Sequence, residues 1–168
     1  MANIMYMKPE TYDIHLGGDL TCYIPHGQDE VVYKSYSDPS WVKTLHRCVD
    51  KYQWRIPILL KDEKIFDDKI CLKYQYMPDV PESSKYLDEF LDYCKNAYEE
   101  LEQKGSPEKL ALFMRLHREA FTDFKFEKSQ LKYHNLGLNL KTDLVHVRDI
   151  NPFNSHTVFI LKAMTGGL

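Results

Sequence analysis

The chain lacks several features that would decide its class at once. Its 168 residues include only seven glycines, too few for a glycine-rich fibre, and no run of about 18 apolar residues that would span a membrane. The 22 Lys and Arg residues are outnumbered by 25 Asp and Glu residues, so no basic excess is present to bind nucleic acid through its phosphates. The amino terminus has no apolar stretch typical of a signal peptide. The sequence therefore predicts neither a membrane protein nor a nucleic-acid-binding protein.

Cysteine is sparse and evenly spread, at Cys22, Cys48, Cys71 and Cys94, with no CxxC pair. A chain of this length buries enough apolar surface without disulfide bonds, and no Cys or His pair has the spacing of zinc ligands. We therefore expect reduced thiols in a cytoplasmic protein.

Apolar residues, in contrast, are plentiful enough for a packed core, at 43% of the chain with 13% aromatic residues. The length predicts one domain, residues 1–168. Internal repeats and low-complexity tracts are absent from the sequence.

The first half of the chain has mainly strand patterns. Leu20–Ile24 and Val31–Tyr36 flank a polar turn, which predicts a hairpin. Asp38 followed by proline indicates the start of a helix over 39–52. Apolar and polar residues then alternate along Lys69–Met77, as in a strand.

The second half has two strong helix patterns. The first begins at Ser83 or Ser84 and ends at Gly105, and the second begins with Ser106 as N-cap and Pro107 in the first turn. Both apolar stripes are most simply explained by core packing.

Three shorter segments also have recognisable patterns. Residues 134–140 and 144–149 predict a second hairpin, an apolar run at 56–60 precedes a turn at Asp67-Asp68, and the apolar tail 157–163 fits either a strand or a short helix.

Strands thus separate from helices along the chain, which predicts the α+β class. The extended segment near Pro78–Pro81 divides a strand-rich lobe, residues 1–80, from a helical lobe, residues 81–168.

Two segments of the second half resemble protein-kinase motifs. Residues 128–135, KSQLKYHN, are similar to the catalytic loop H-R-D-L-K-x-x-N, with Leu131, Lys132 and Asn135 at the Leu, Lys and Asn positions. Fourteen residues after Asn135, Asp149 begins D-I-N in the place of the family's D-F-G.

Upstream segments resemble the same family in the same order. V-V-Y-K, ending at Lys34, is similar to V-A-I-K and precedes the predicted helix 39–52, as the family's lysine precedes its helix αC. The segment containing Gln75 and Met77 resembles the strand that leads into the kinase hinge. The resemblance covers residues 17–153.

The resemblance implies a truncated kinase-like fold with a strand-rich N-lobe and a reduced helical C-lobe. It further implies ATP and Mg²⁺ as cofactors. Lys34 would contact the phosphates, Gln75 and Met77 would lie beside the nucleotide, and Asn135 and Asp149 would supply oxygen ligands to magnesium.

The departures from the family are equally specific. Gln130 stands where the family has its catalytic aspartate, and an amide cannot accept a proton near neutral pH. Gly17-Gly18 is not followed by a third glycine, and helix 39–52 has no glutamate to pair with Lys34. Only 19 residues follow Asp149, which leaves no room for an activation segment.

These features predict a pseudokinase-like regulatory or inhibitory protein that binds another protein. A kinase-like chain as reduced as this one is the kind of product that a phage or mobile element would encode to interfere with a host. One alternative is an active minimal phosphotransferase in which Asp123, Glu127 or a water network replaces the missing base. The other is a non-kinase α+β interaction protein that matches the motifs by accident.

Structural interpretations of the same residues also stay open. Lys34 is equally explained as a solvated lysine on a strand edge, Asn135 as a turn cap, and Asp149 as an Asx-turn residue. Lys132 is more simply structural or solvated than bound to phosphate, and His134 and His146 are more simply surface or packed residues than catalytic bases.

Overall fold

The computed structural model describes residues 12–17, 20–26, 30–36, 38–66, 68–150 and 162. They form a mixed α+β fold that divides into two compact units. The first unit is Met1–Asp50 with Ile58–Tyr76, and the second is Lys51–Pro57 with Met77–Leu168. Among the helices of these ranges, none combines the length and apolar character needed to cross a membrane.

The first unit is built on a five-stranded sheet in which all neighbouring strands are antiparallel. The strand order is β1-β2-β3-β5-β4, so β3 lies in the middle of the sheet. The strands are β1 (Tyr12–Gly17), β2 (Leu20–Pro25), β3 (Val31–Ser35), β4 (Leu59–Phe66) and β5 (Lys69–Gln75). The predicted first hairpin is confirmed as β2–β3.

Helix α1 (Pro39–Val49) lies between β3 and β4 in the chain and packs against β5. Its buried residues, Val42, Leu45 and Val49, recur at helical spacing. The α-helix begins at the predicted proline but ends before residue 52, because Asp50–Tyr52 forms a tighter 3₁₀ turn.

The predicted boundaries were wrong by a few residues around β4 and β5. Strand β4 begins at Leu59, three residues after the start of the apolar run 56–60, and continues through the polar residues that follow. Asp68 has a positive φ of 62° in the β4–β5 turn, a conformation that Asp tolerates better than most residues. The β4–β5 hairpin thus pairs polar residues through backbone hydrogen bonds. Alternation of apolar and polar residues does not reveal such pairing.

The second unit contains the two predicted helices, α2 (Ser84–Lys104) and α3 (Pro107–His117). Gly105 ends α2 in the left-handed conformation with φ 68°, which glycine adopts without steric cost. Ser106 occupies the N-cap position of α3, followed by Pro107.

A two-stranded antiparallel sheet, β6 (Leu136–Asn139) and β7 (Leu144–Val147), confirms the second predicted hairpin. It shares a core with α2 and the segment after α3; the buried members are Phe90, Leu91, Cys94, Ala120, Phe121, Leu131, Leu136, Val145 and Val147. The predicted tail 157–163 lies outside the described residues except Lys162, which is helical.

Cys22, Cys48, Cys71 and Cys94 are thiols that are not joined in disulfide bonds, as predicted.

Candidate functional site

Lys34 occupies a buried position on β3. Only 5% of the residue is exposed, and its Nζ lies 5.0 Å from the centre of the Tyr74 ring. The interpretation of Lys34 as a solvated lysine on a strand edge is therefore wrong. A buried lysine needs groups that stabilise its charge, and an aromatic face is one of them.

His46 of α1 completes this cluster. Its Nε2 lies 2.7 Å from the hydroxyl of Tyr74. Burial, together with the nearby charge of Lys34, lowers the pKa of His46 to about 4. The His46 side chain of α1, beside Tyr74 and Lys34, is therefore a neutral imidazole at neutral pH and not a carboxylate.

The catalytic-loop-like segment of the second unit is held by backbone hydrogen bonds. Lys132 N–H donates to the carbonyl of Ala120 at 2.8 Å, and the carbonyl of Gln130 accepts from Thr122 N–H at 2.7 Å. Between these two residues, Leu131 is buried in the core. Gln130 and Lys132 thus belong to one anchored loop whose backbone path is fixed on both sides of Leu131.

Asn135 and Asp149 lie at the same end of the β6–β7 hairpin. The register pairs Leu136 with Val147, and Arg148 N–H donates to the carbonyl of Asn135 at 2.8 Å. The hairpin thus places the backbones of Asn135 and Asp149, fourteen positions apart in the chain, at the same end of the two-stranded sheet.

The side chain of Asn135 has a defined orientation. Its Nδ2 donates to the carbonyl of Glu119 at 2.8 Å. A carbonyl only accepts, so this contact identifies the nitrogen of the amide. Within the described part of the chain, N–H donors do not reach Oδ1, and an amide oxygen is one of the ligand types that hard cations take.

The hinge-like residues are both buried, but they lie in different units. Gln75 ends β5 in the first unit, where its N–H donates to the carbonyl of Ile58 at 2.9 Å. Met77, 4% exposed, belongs to the second unit, and its carbonyl accepts from Nη1 of Arg148 at 3.3 Å. These two backbone groups already have partners within the chain.

A cleft of about 710 Å³ lies beside the loop in the second unit. Its lining includes Tyr133, His134 and Arg148, which are the sequence neighbours of the predicted metal ligands. Arg148 is fixed there because Nη2 donates to Asp79 Oδ1 at 2.7 Å and to the carbonyl of His134 at 3.0 Å.

Sequence analysis missed a buried polar network in the second unit. The guanidinium of Arg55 forms a two-bond ion pair with Glu89 and lies 4.3 Å from the centre of the Tyr93 ring. Arg55 N–H donates to the hydroxyl of Tyr93, which is 2.8 Å from Nε2 of His117. The sole sequence signal was His117 on the apolar stripe of α3, which is indistinguishable from ordinary packing.

The protonation of this network follows from its contacts. Nδ1 of fully buried His117 is 2.8 Å from the carbonyl of Phe113, so Nδ1 carries the proton and Nε2 accepts from Tyr93. Burial lowers the pKa of His117 to about 4 and raises that of Tyr93. Both groups are therefore neutral at pH 7, in keeping with a structural network.

His146 is also packed rather than exposed. Its Nδ1 is 3.0 Å from the carbonyl of Ile56, and its pKa is lowered by burial. Across residues 12–150, allowing for the gaps in the description, no group of three His, Cys, Asp or Glu side chains has metal-binding geometry.

Comparisons of the chain with protein-family models, with curated proteins and with solved structures gave no match.

Proposed function

We propose that the chain is a pseudokinase-like binding protein, with Lys34, Asn135 and Asp149 holding a magnesium nucleotide. Its output is regulation or inhibition of another protein through contact. The single observation that carries the proposal is the juxtaposition of Asn135 and Asp149 at the base of the β6–β7 hairpin.

The residues fit magnesium. An amide oxygen of Asn135 and a carboxylate of Asp149 are the hard ligands that Mg²⁺ takes alongside phosphate oxygens and water. A bound Mg²⁺ would neutralise the phosphates of the nucleotide. Asn135 contributes a ligand oxygen whose orientation is set in advance by the bond from Nδ2 to Glu119.

The first unit supports the same proposal independently. Lys34 lies on the third strand, as the phosphate-binding lysine does in protein kinases. Helix α1 follows it, and β5 then leads into the hinge-like segment. This order of elements fits the kinase-like two-lobed arrangement that the motifs predict.

Gln130 is the reason to propose binding rather than phosphoryl transfer. Its side-chain amide can orient a hydroxyl group, but it has no basic site to remove the proton at neutral pH. In this account Lys132, two residues further along the same anchored loop, contributes positive charge near the phosphates.

The metal site can be tested with Mn²⁺ as a paramagnetic substitute for Mg²⁺. In the presence of ATP, we expect Mn²⁺ to broaden the NMR signals of Asn135 and Asp149 selectively, and Asp149→Asn to abolish the effect. Asp143→Asn is the matched control, because Asp143 lies in the turn at the opposite end of the same hairpin. Uniform or absent broadening would contradict the site.

A phosphotransfer assay separates binding from catalysis. We expect no transfer from radiolabelled ATP to protein substrates or to the chain itself. Transfer that is lost in Asp149→Ala would instead support the active minimal phosphotransferase and would overturn the assignment as a pseudokinase.

A further inference from the structure

A kinase-like lysine site normally includes a glutamate on the following helix, which pairs with the lysine. Here the sequence of α1 contains no acid, and Asp50, at its C-cap, is exposed. His46 of α1 contacts Tyr74, whose ring lies beside the Lys34 ammonium group.

The sheet register explains why Tyr74 meets Lys34. On the paired strands β3 and β5, Lys34 is opposite Leu72 and Val32 is opposite Tyr74. Lys34 and Tyr74 are therefore diagonal neighbours on one face of the sheet, a separation that long and aromatic side chains span. Tyr74 is fully buried, so its ring has a fixed position under the ammonium group.

The packing of α1 explains why His46 meets Tyr74. The helix packs against β5, and the rings of His46 and Tyr74 are 5.3 Å apart between centres. The 2.7 Å contact from Nε2 to the hydroxyl joins helix to strand through two neutral groups. The Tyr74 ring is thereby held from both sides, by the sheet and by the helix.

We propose that Tyr74 and His46 are positioning residues for Lys34, replacing the helix glutamate of the kinase family in orienting the lysine toward a nucleotide phosphate. The inference rests on the proposed function, because it concerns the same site. It differs from simple core packing in one respect: the pair acts on the orientation of a single charged side chain.

Titration calorimetry of the full chain with Mg·ATP at pH 7.5 tests whether Tyr74 and His46 affect the Kd for the nucleotide. Tyr74→Phe keeps the ring but removes the hydroxyl, and we expect the Kd to rise about fivefold, the equivalent of one net hydrogen bond. His46→Leu, which removes the same contact from the helix side, should raise the Kd by a similar factor. Tyr23→Phe is the control for loss of a tyrosine hydroxyl at a buried position of the same unit.

A rescue variant separates positioning from structural support. His46→Glu places a carboxylate on α1, as the kinase family has on its corresponding helix. We expect a Kd for Mg·ATP within about twofold of the wild-type value or lower. Loss of one net hydrogen bond would instead change the Kd about fivefold. Arg47→Glu is the control for a new carboxylate on the exposed side of the same helix. A Kd as weak in His46→Glu as in His46→Leu would overturn the inference.

A second readout needs no nucleotide. In ¹³C-lysine-labelled protein, the ring current of Tyr74 should shift the Lys34 Hε signal upfield, with Lys34→Arg providing the assignment. We expect this shift to be lost in Tyr74→Leu, which removes the ring, to diminish in His46→Leu, and to persist in Tyr23→Phe. An unchanged shift in the first two variants would overturn the positioning role.

The outcomes distinguish the two proposals. No Mg·ATP binding by the wild-type chain would overturn the proposed function and, with it, the role of the pair in binding nucleotide. Binding that is lost in Lys34→Ala but unaffected by Tyr74→Phe and His46→Leu would overturn only the inference.

Discussion

At the residue scale, His117 shows how burial decides chemistry. It is fully buried in the second unit, and its two ring nitrogens are both within 2.8 Å of partners that suit the neutral form. Charging the ring would require a buried cation next to a network that already contains the Arg55 guanidinium. His117 is therefore a structural residue, although histidine is a common catalytic base.

Acid should destabilise the chain through this residue. The pKa of His117 is about 4 when folded and about 6.5 when unfolded, so the unfolded state binds the extra proton in between. Stability is thus fully present above about pH 6.5 and falls as the pH drops toward 4, by roughly 3 kcal/mol for this group. Urea denaturation at stepped pH values measures the decline.

Single substitutions test whether His117 causes this loss of stability at low pH. His117→Gln should flatten the pH dependence by about one proton, whereas Leu140→Ala, at an exposed position of the same unit, should leave it unchanged. A wild-type free energy of unfolding that stays constant from pH 7 to pH 4 would contradict the protonation state assigned to His117.

At the element scale, the β6–β7 hairpin positions the proposed metal ligands, and Gly137 makes its packing possible. A Cβ at this position would lie 2.7 Å from Cβ of Met77 and 2.7 Å from Cγ of Arg148. The Met77 Cβ cannot rotate away, since it is attached directly to the backbone. Glycine is therefore required by the close approach of the hinge-like segment to β6.

We expect Gly137→Ala to destabilise the chain by about 1–3 kcal/mol, the usual cost of forcing extra volume into a packed site. Urea denaturation would measure this, and the Arg148 contacts to Met77 and Asp79 should weaken in the same variant. Leu140→Ala, at a 66% exposed position in the same hairpin, should change the free energy of unfolding by less than about 0.5 kcal/mol. Equal stability of the two variants would show that the contact is not as close as described.

Local elements were largely predictable from the sequence because their signals are local. Gly105 and Pro107 mark helix boundaries through their own backbone limits, and short runs on either side of a polar turn predicted both hairpins. The boundaries of β4 were not predictable, because its polar residues pair through main-chain bonds rather than through an apolar face. Sheet order, and with it the burial of Lys34, depends on long-range pairing that periodicity does not contain.

The candidate site was predictable only in part, for a related reason. Motif order pointed to Asn135 and Asp149, and hairpin geometry then brought them together. The Tyr74–His46 pair had no sequence signal, because two residues 28 positions apart meet only after a helix packs on a strand. The Arg55–Glu89 pair was missed likewise, since its members are 34 positions apart.

At the scale of the whole molecule, the chain divides into two units. Lys34 belongs to the first unit, and Asn135 and Asp149 belong to the second. The central claim is that the chain binds a magnesium nucleotide, and that loss of any one of these three side chains weakens this binding.

Thermal unfolding with and without Mg·ATP tests this claim most directly. At a ligand concentration one hundred times the Kd, binding should stabilise the wild-type chain by about 2.7 kcal/mol, which raises Tm by roughly 5 °C or more for a chain of this size. We expect Lys34→Ala and Asp149→Ala each to abolish the shift, and Asp143→Asn to retain it. Identical melting curves with and without Mg·ATP in the wild-type chain would contradict the account.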